Sequence, residues 1–165
     1  MGRATHNLFF RLIVLVVIIA AFGARSSIAS AAGVVTLTLD DGNPSQYEIA
    51  APILQAGGQT ATFYVNSGWL GVNNEWYMTW DQVLDLHQRG FEIGGHTLTH
   101  LELPTLGNAK KKTEINNDYA NFAAKGITPT SFAAPFGAYD NTTIPLVALK
   151  YNSHRAFANQ GLNFW

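Results

Sequence analysis

The 165-residue chain contains no cysteine. That absence excludes a disulfide framework and thiolate metal ligands, so any bound metal must rely on histidine and carboxylate side chains. Charge is sparse and nearly balanced, with 10 basic against 11 acidic side chains. Residues 1–31 hold three of the arginines and no acid, and without them the count is seven against 11, a formal charge of −4. A mildly acidic domain gives no electrostatic reason to bind nucleic acid or an anionic membrane. Internal repeats, low-complexity segments and linkers are also missing, and the length suits one domain. The one long apolar run, residues 12–22, is closed by Arg25, short of the about 20 residues that a spanning helix needs.

That run has a different reading. Arg3 and Arg11 make a basic leading segment, the apolar run follows, and Ala29-Ser30-Ala31 offers small residues for cleavage. The pattern is that of a secretory signal over residues 1–31. It predicts a domain over residues 32–165 that is secreted or associated with the cell envelope, with no stable membrane insertion after cleavage.

From residue 34 onward strand and helix patterns alternate, which argues for βα units around a mostly parallel sheet or barrel. Strands are expected at residues 34–39, 60–65, 91–93 and 131–134, with a fifth at 155–158. Helices are expected at residues 46–55, from a Thr79 cap to a stop at Gly90, at about 108–124, and from an Asn141 cap to about 150. Thr79 and Gln82 stand at capping-box spacing. Lys110, Lys111 and Lys112 are expected on a solvated helix face. The final residues, 161–165, end in Phe164 and Trp165. Chain ends are usually polar and frayed, and about five βα units cannot close an eight-stranded barrel. The expectation is a chain cut before its fold is complete.

Three polar clusters follow three of the strands: Asp40-Asp41-Gly42, His96-Thr97-Leu98-Thr99-His100 and Pro135-Phe136-Gly137. In α/β folds the carboxyl ends of the strands form the ligand-binding face. Each cluster alone is an ordinary turn. Together they supply two carboxylates and a histidine pair at i,i+4 to one face. His96, His100 and Asp41 would make a two-His, one-carboxylate set, a donor chemistry that suits Zn, Co, Ni or Fe. Gly94 and Gly95 are expected to let the backbone approach that site closely. Adjacent strand residues point to opposite faces, so Asp40 enters the same pocket only if the chain turns, and Gly42 permits the turn. A carboxylate placed there can act as general base. A backbone N–H in the third cluster, that of Phe136, can face a developing oxyanion.

These clusters resemble the polysaccharide deacetylase family, also called NodB-homology or carbohydrate esterase family 4. Its first motif, Thr-Phe-Asp-Asp-Gly, is similar to Thr38-Leu39-Asp40-Asp41-Gly42, and its second, His-Ser/Thr-x-x-His, to residues 96–100. Its third, Arg-x-Pro-Tyr/Phe-Gly, is similar to Ala133-Ala134-Pro135-Phe136-Gly137. The resemblance implies an α/β fold, a distorted (β/α) barrel that is incomplete at the C-terminus here. It also implies metal-dependent removal of N-acetyl or O-acetyl groups from a polymer such as poly-N-acetylglucosamine, chitin or peptidoglycan. Asp40 would be the base; Asp41, His96 and His100 would hold a divalent metal, zinc first, with cobalt or nickel as alternatives. Pro135, Phe136 and Gly137 would line the substrate site.

Two departures from the family pattern stand out. The arginine that orients the base in many members is Ala133 here, as in members that resemble this stretch and act on poly-N-acetylglucosamine. The family's last two motifs, an aromatic pocket wall and a Leu-x-His segment carrying the catalytic acid, lie beyond Trp165. His154 lacks that context, and His87 reads as a surface residue. The chain as written is therefore expected to be poorly active or unstable. Two alternatives compete: a non-catalytic carbohydrate-binding protein that stacks sugars on Trp69, Trp76, Tyr77 or Trp80, and a non-haem Fe(II) oxygenase. The βα alternation argues against the second, whose sites usually sit on antiparallel frameworks.

Overall fold

The run Thr-Phe-Tyr-Val of Thr62–Val65 forms strand β2, and all four residues are buried. Burial on both faces is what a parallel sheet covered by helices requires. A computed structural model describes residues 34–156. The expected signal over residues 1–31 and the aromatic ending at residues 161–165 lie outside the described residues, as do residues 157 and 158 of the expected strand at 155–158.

Five strands make one sheet in the order β1-β2-β3-β4-β5, every pair parallel. They are β1 (Thr38–Leu39), β2, β3 (Glu92–Gly95), β4 (Ser131–Ala133) and β5 (Ser153–Arg155). The helices between them are α1 (Ala51–Ala56), α2 (Trp80–Gln88), α3 (Asn108–Ala124) and α4 (Thr143–Ala148). Sequential strands paired through helical crossovers are the βα units that the sequence pattern predicts. One core gathers Phe63, Val65, Met78, Val83, Leu86, Phe91, Ile93 and Phe122; a second gathers Leu103, Ile115, Phe132, Val147 and Tyr151.

The start of α2 forms as its sequence predicts. Thr79 Oγ1 accepts from the Gln82 N–H at 3.2 Å, and Gln82 Oε1 accepts from the Thr79 N–H at 2.9 Å. The two orphan donors are thereby satisfied, a contribution of about 1 kcal/mol.

Elsewhere tertiary contacts override the local pattern. The first strand is only Thr38–Leu39, and the expected helix at 46–55 opens as a π-helical turn, Gln46–Ala50, before α1. Asp140, not Asn141, holds the start of α4: its Oδ1 accepts from the Thr142 N–H at 3.0 Å and the Thr143 N–H at 2.8 Å. Lys111 is not on a solvated face. It is 2% exposed, and its Nζ donates to Asp140 and, at 2.6 Å, to Thr142 Oγ1. That contact holds the Asp140 carboxyl well below the usual carboxylate range.

The sheet is strongly curled. With strands about 4.8 Å apart, a flat sheet would separate β1 from β5 by roughly 19 Å. Instead Arg155 on β5 reaches Asp40, the residue after β1, and forms an ion pair with it. The two outermost strands therefore face each other across the carboxyl end of the sheet, where all three polar clusters lie.

Candidate active site

The first cluster turns as Gly42 allows. Asp41 (φ 75°) and Gly42 (φ 73°) both adopt left-handed backbone, and a Cβ at Gly42 would stand 3.1 Å from Val65 Cγ1. The turn brings both carboxylates to one cleft of about 330 Å³, lined by Asp40, Asp41, Asn66, Trp76, Tyr77 and His100 among others. Gln46 Nε2 donates to the Asp40 carbonyl and ties the turn to the π-helical segment.

The second cluster is a loop, not a helical turn, with Thr97 (φ 67°) and His100 (φ 59°) left-handed. It brings both imidazoles to Asp41: Asp41 Oδ1 lies 3.2 Å from His96 Nε2 and 3.1 Å from His100 Nε2. One donor atom from each of the three residues falls within 4.8 Å of the others. The hydrogen bond with His100, then that with His96, holds the Asp41 carboxyl far below the usual carboxylate range. His96 Nδ1 is 2.7 Å from the Ala133 carbonyl oxygen. A carbonyl can only accept, so Nδ1 carries a proton; in the protonated ring Nε2 donates to Asp41, and in the neutral ring Nε2 keeps the lone pair that a metal takes. The donor set and its outer hydrogen bond thus fit a divalent ion.

Three residues that sequence reasoning missed hold this loop from below. Asp118 on α3 is fully buried and accepts from the Ser67 N–H at 3.0 Å and the His96 N–H at 3.2 Å. Burial pushes its carboxyl up to about 7 despite those bonds. Glu114, one turn earlier and also buried, accepts from the Thr99 N–H at 2.8 Å and the Thr99 hydroxyl at 2.9 Å. Asn66 Nδ2 donates to the His96 and Thr97 carbonyls. Glu114 and Asp118 have the i,i+4 spacing of one helix face, but that spacing is common on polar helices. A carboxylate facing inward from α3 becomes recognisable only once the helix is docked.

Gly94 and Gly95 serve a different purpose from the one expected. Both lie within β3, and a Cβ on either would collide with a tyrosine ring, Tyr64 for Gly94 and Tyr151 for Gly95. They make room for the neighbours of the strand rather than for a ligand.

Of the third cluster, Pro135 and Gly137 are buried and shape a 3₁₀ turn. They expose little to a ligand. Phe136 alone is exposed, with left-handed backbone (φ 59°), and its ring packs edge-on against His100 at 4.7 Å between centroids. The aromatic residues expected to stack sugars divide. Trp76 is 64% exposed and lines the cleft with Tyr77; Trp69 is stacked on Tyr77, and Trp80 packs against Phe122 in the core. His87 is exposed as expected. His154 is half-buried between the Phe132 and Tyr139 rings, away from the Asp41 cluster.

The family model described as polysaccharide deacetylase matches residues 28–152. YxkH of Bacillus subtilis (strain 168) is 29% identical over 113 residues, which is 67% of this chain and 39% of that protein. Among solved structures, the deacetylase PplD of Streptococcus pyogenes aligns with a TM-score of 0.74 at 26% identity, over 83% of this chain and 64% of that one. A family 4 carbohydrate esterase from Streptomyces lividans aligns with a TM-score of 0.62, also at 26% identity, over 74% of this chain and 61% of that one. The chain thus spans about two fifths of the length of YxkH and less than two thirds of either structure. Its five parallel strands are part of a distorted (β/α) barrel of the NodB-homology type. With the family match over most of the described residues and the Asp-His-His cluster at the expected strand ends, the chain belongs to the polysaccharide deacetylase family.

Proposed function

We propose that this chain is the catalytic part of a metal-dependent hydrolase that removes acetyl groups from a carbohydrate polymer. N-acetylated glycans such as poly-N-acetylglucosamine, chitin or peptidoglycan are the favoured substrates, with O-acetyl groups as the alternative. The observation that carries the reading is the convergence of Asp41, His96 and His100, with Asp41 and His100 lining one cleft together with Asp40. Asp41 Oδ, His96 Nε2 and His100 Nε2 would hold the ion, zinc first, with cobalt or nickel as alternatives. When bound, a divalent ion supplies Lewis acidity and lowers the pKa of water from 15.7 to about 7.

The chain's own residues supply the rest. Asp40, held by Arg155 and aimed into the cleft, takes the proton of the attacking water as general base. The Phe136 N–H is the donor proposed for the oxyanion, and the Phe136 and Trp76 side chains border the space for sugar rings. In the net reaction the amide C–N bond breaks, water supplies the oxygen of acetate, and the amine nitrogen takes the remaining proton. Residues 1–31 are proposed as an export signal and residues 32–165 as part of the deacetylase domain, acting outside the cell or at its envelope.

The test is acetate release from N-acetylglucosamine oligomers by the whole chain with added Zn²⁺ or Co²⁺, with Asp40→Asn as control. Metal-dependent release that disappears in the control supports the reading. A folded, zinc-loaded chain that binds the oligomers with or without chelator and releases no acetate would replace it with a non-catalytic binder using exposed Trp76.

A further inference from the structure

The inward face of α3 is polar. Lys111, Glu114, Asp118 and Asn121 recur at i, i+3, i+7 and i+10, the spacing of one helix face, and the first three are buried. Each reaches a loop at the carboxyl end of a strand. Asn121 Nδ2 donates to Ser67 Oγ at 3.1 Å in the loop after β2, where Asp118 accepts from the Ser67 N–H. In the loop after β3, Glu114 holds the Thr99 N–H and Asp118 the His96 N–H. Lys111 serves the loop after β4. Among the described residues, both hydrogen bonds from α3 to that loop start at its Nζ, one to Asp140 and one to Thr142.

That third loop needs a hold from outside. Phe136 carries a side chain on left-handed backbone (φ 59°), a conformation that persists only where the surroundings impose it. Within the loop, the Gly137 N–H donates to the Ala134 carbonyl at 2.9 Å and the Ala138 N–H to the Pro135 carbonyl at 3.0 Å. These bonds close the turn and leave its position to its two ends. The first end is β4. The second is Asp140, whose Oδ1 accepts from the Thr142 and Thr143 N–H groups while its Oδ2 takes Lys111. An ammonium is buried only where it is paired and hydrogen-bonded. Lys111 therefore fixes the far end of the Phe136 loop to the helix that already carries the loop of His96 and His100.

We infer that Lys111 is a positioning residue whose ammonium, through Asp140, sets the Phe136 N–H against the Asp41, His96 and His100 cluster. The inference rests on the deacetylase reading for its kinetic consequence; the placement of Phe136 is a separate, structural claim. It also separates two neighbours on one helix face. Asp118 acts on the metal donors, whereas Lys111 governs turnover and leaves those donors alone.

The test compares the full chain with Lys111→Met and with Val83→Ala, a variant of the buried core on α2 that lies outside the cleft. Methionine keeps the buried stem, and the Asp140 side chain, 36% exposed, remains open to water once the charge is gone. In Lys111→Met, kcat for acetate release from N-acetylglucosamine oligomers should fall about 100-fold, with zinc affinity within about twofold, since misplacement of a group by about 1 Å has that cost. Lys111→Gln keeps donors on a shorter stem; its kcat should fall between the two, and it carries the test should Lys111→Met fail to fold. Val83→Ala should lose stability and keep its kcat. Unchanged kcat in the Lys111 variants, or an equal fall in Val83→Ala, would reduce Lys111 to a stabilising contact and overturn the inference. Crystal structures of the zinc-loaded variants supply the arm that does not depend on activity. Without the Lys111 charge the Phe136 ring should leave His100 while Asp41, His96 and His100 stay in place; an unmoved Phe136 would overturn the inference. Should the wild-type chain bind zinc and release no acetate, the deacetylase reading fails, and the crystal structures still decide the role of Lys111.

Discussion

The Nδ1–H of His96 donates to the Ala133 carbonyl oxygen at 2.7 Å, a bond that links the carboxyl ends of β3 and β4 through the imidazole ring. It selects the tautomer in which Nε2 points to Asp41 and His100. Ala133 thus acts on the cluster through its carbonyl. Replacing Ala133 tests side-chain space alone, since the carbonyl remains in any variant.

The three-donor cluster should bind zinc in the isolated chain. His100→Ala removes one donor and leaves Asp41 with a single imidazole. Loss of an outer-shell partner typically costs about 10- to 100-fold in metal affinity, so loss of a ligand should weaken zinc binding by more than roughly 100-fold. Isothermal titration with Zn²⁺ measures this directly. The zinc-induced rise in melting temperature, expected for any ligand that binds only the folded state, should vanish in the variant. An unchanged zinc isotherm would remove the metal assignment.

Asp118→Asn keeps the size of the buried side chain and turns one acceptor into a donor. One of the Ser67 and His96 N–H groups would then face an N–H₂ group. An unsatisfied buried donor costs about 1–3 kcal/mol, and urea denaturation should show a loss of that size. The His96 backbone is one of the two attachments, so zinc affinity should fall as well, by about 10-fold. A variant with lower stability and unchanged zinc affinity would confine Asp118 to the core.

Gly95→Ala should destabilise the chain by about 1–3 kcal/mol through overpacking. The new Cβ would stand 2.7 Å from Tyr151 Cζ and 2.9 Å from Cε1, distances that side chains do not tolerate. Adding Tyr151→Leu should make the double variant more stable than the sum of the two single losses predicts. Additive losses in a denaturation cycle would mean that the strand has moved rather than the ring.

His154 should make stability depend on pH below neutrality. Burial, then repulsion from Arg155, pushes its imidazole down to about 4 from an ordinary 6.5. Between those values the unfolded chain holds a proton on this residue that the folded chain does not, so the contribution of His154 to stability rises with pH across the window, opposite in sign to that of Asp118 with its raised carboxyl. The contribution is complete above about 6.5 and is lost as pH falls toward 4. At about 1.4 kcal/mol per tenfold change in proton affinity, it amounts to at most roughly 3 kcal/mol. His154→Phe should remove this positive contribution, so the slope of urea midpoints against pH in that range should fall, and an unchanged slope would show that His154 does not contribute.

Much of the fold was legible because its signals are local. Alternating apolar strands and helices announced a parallel βα architecture, and the Thr79–Gln82 capping box formed as spaced. Errors arose where a distant partner outweighed a local preference. Lys111 sits in a run of three lysines that reads as solvated, yet Asp140 and Thr142, about 30 residues away, draw it inward. Asn141 reads as a helix cap, but Asp140, already paired with that lysine, holds the helix start. Gly94 and Gly95 read as room for a ligand, and their real neighbours are tyrosine rings on adjacent strands and loops.

The sequence by itself pointed to the Asp41, His96 and His100 cluster, because these residues lie in short motifs whose spacing survives without the fold. It determined the family for the same reason. Only the tertiary structure decided what holds those residues in place. Arg155, Asp118 and Glu114 act on the site through contacts that cross strands or helices, and no local pattern distinguishes them from surface charges. Arg155 is the clearest case: it reaches Asp40 only because the sheet curls and brings its two outermost strands together. That curl is a collective property of twist and packing along five strands, which no single residue encodes.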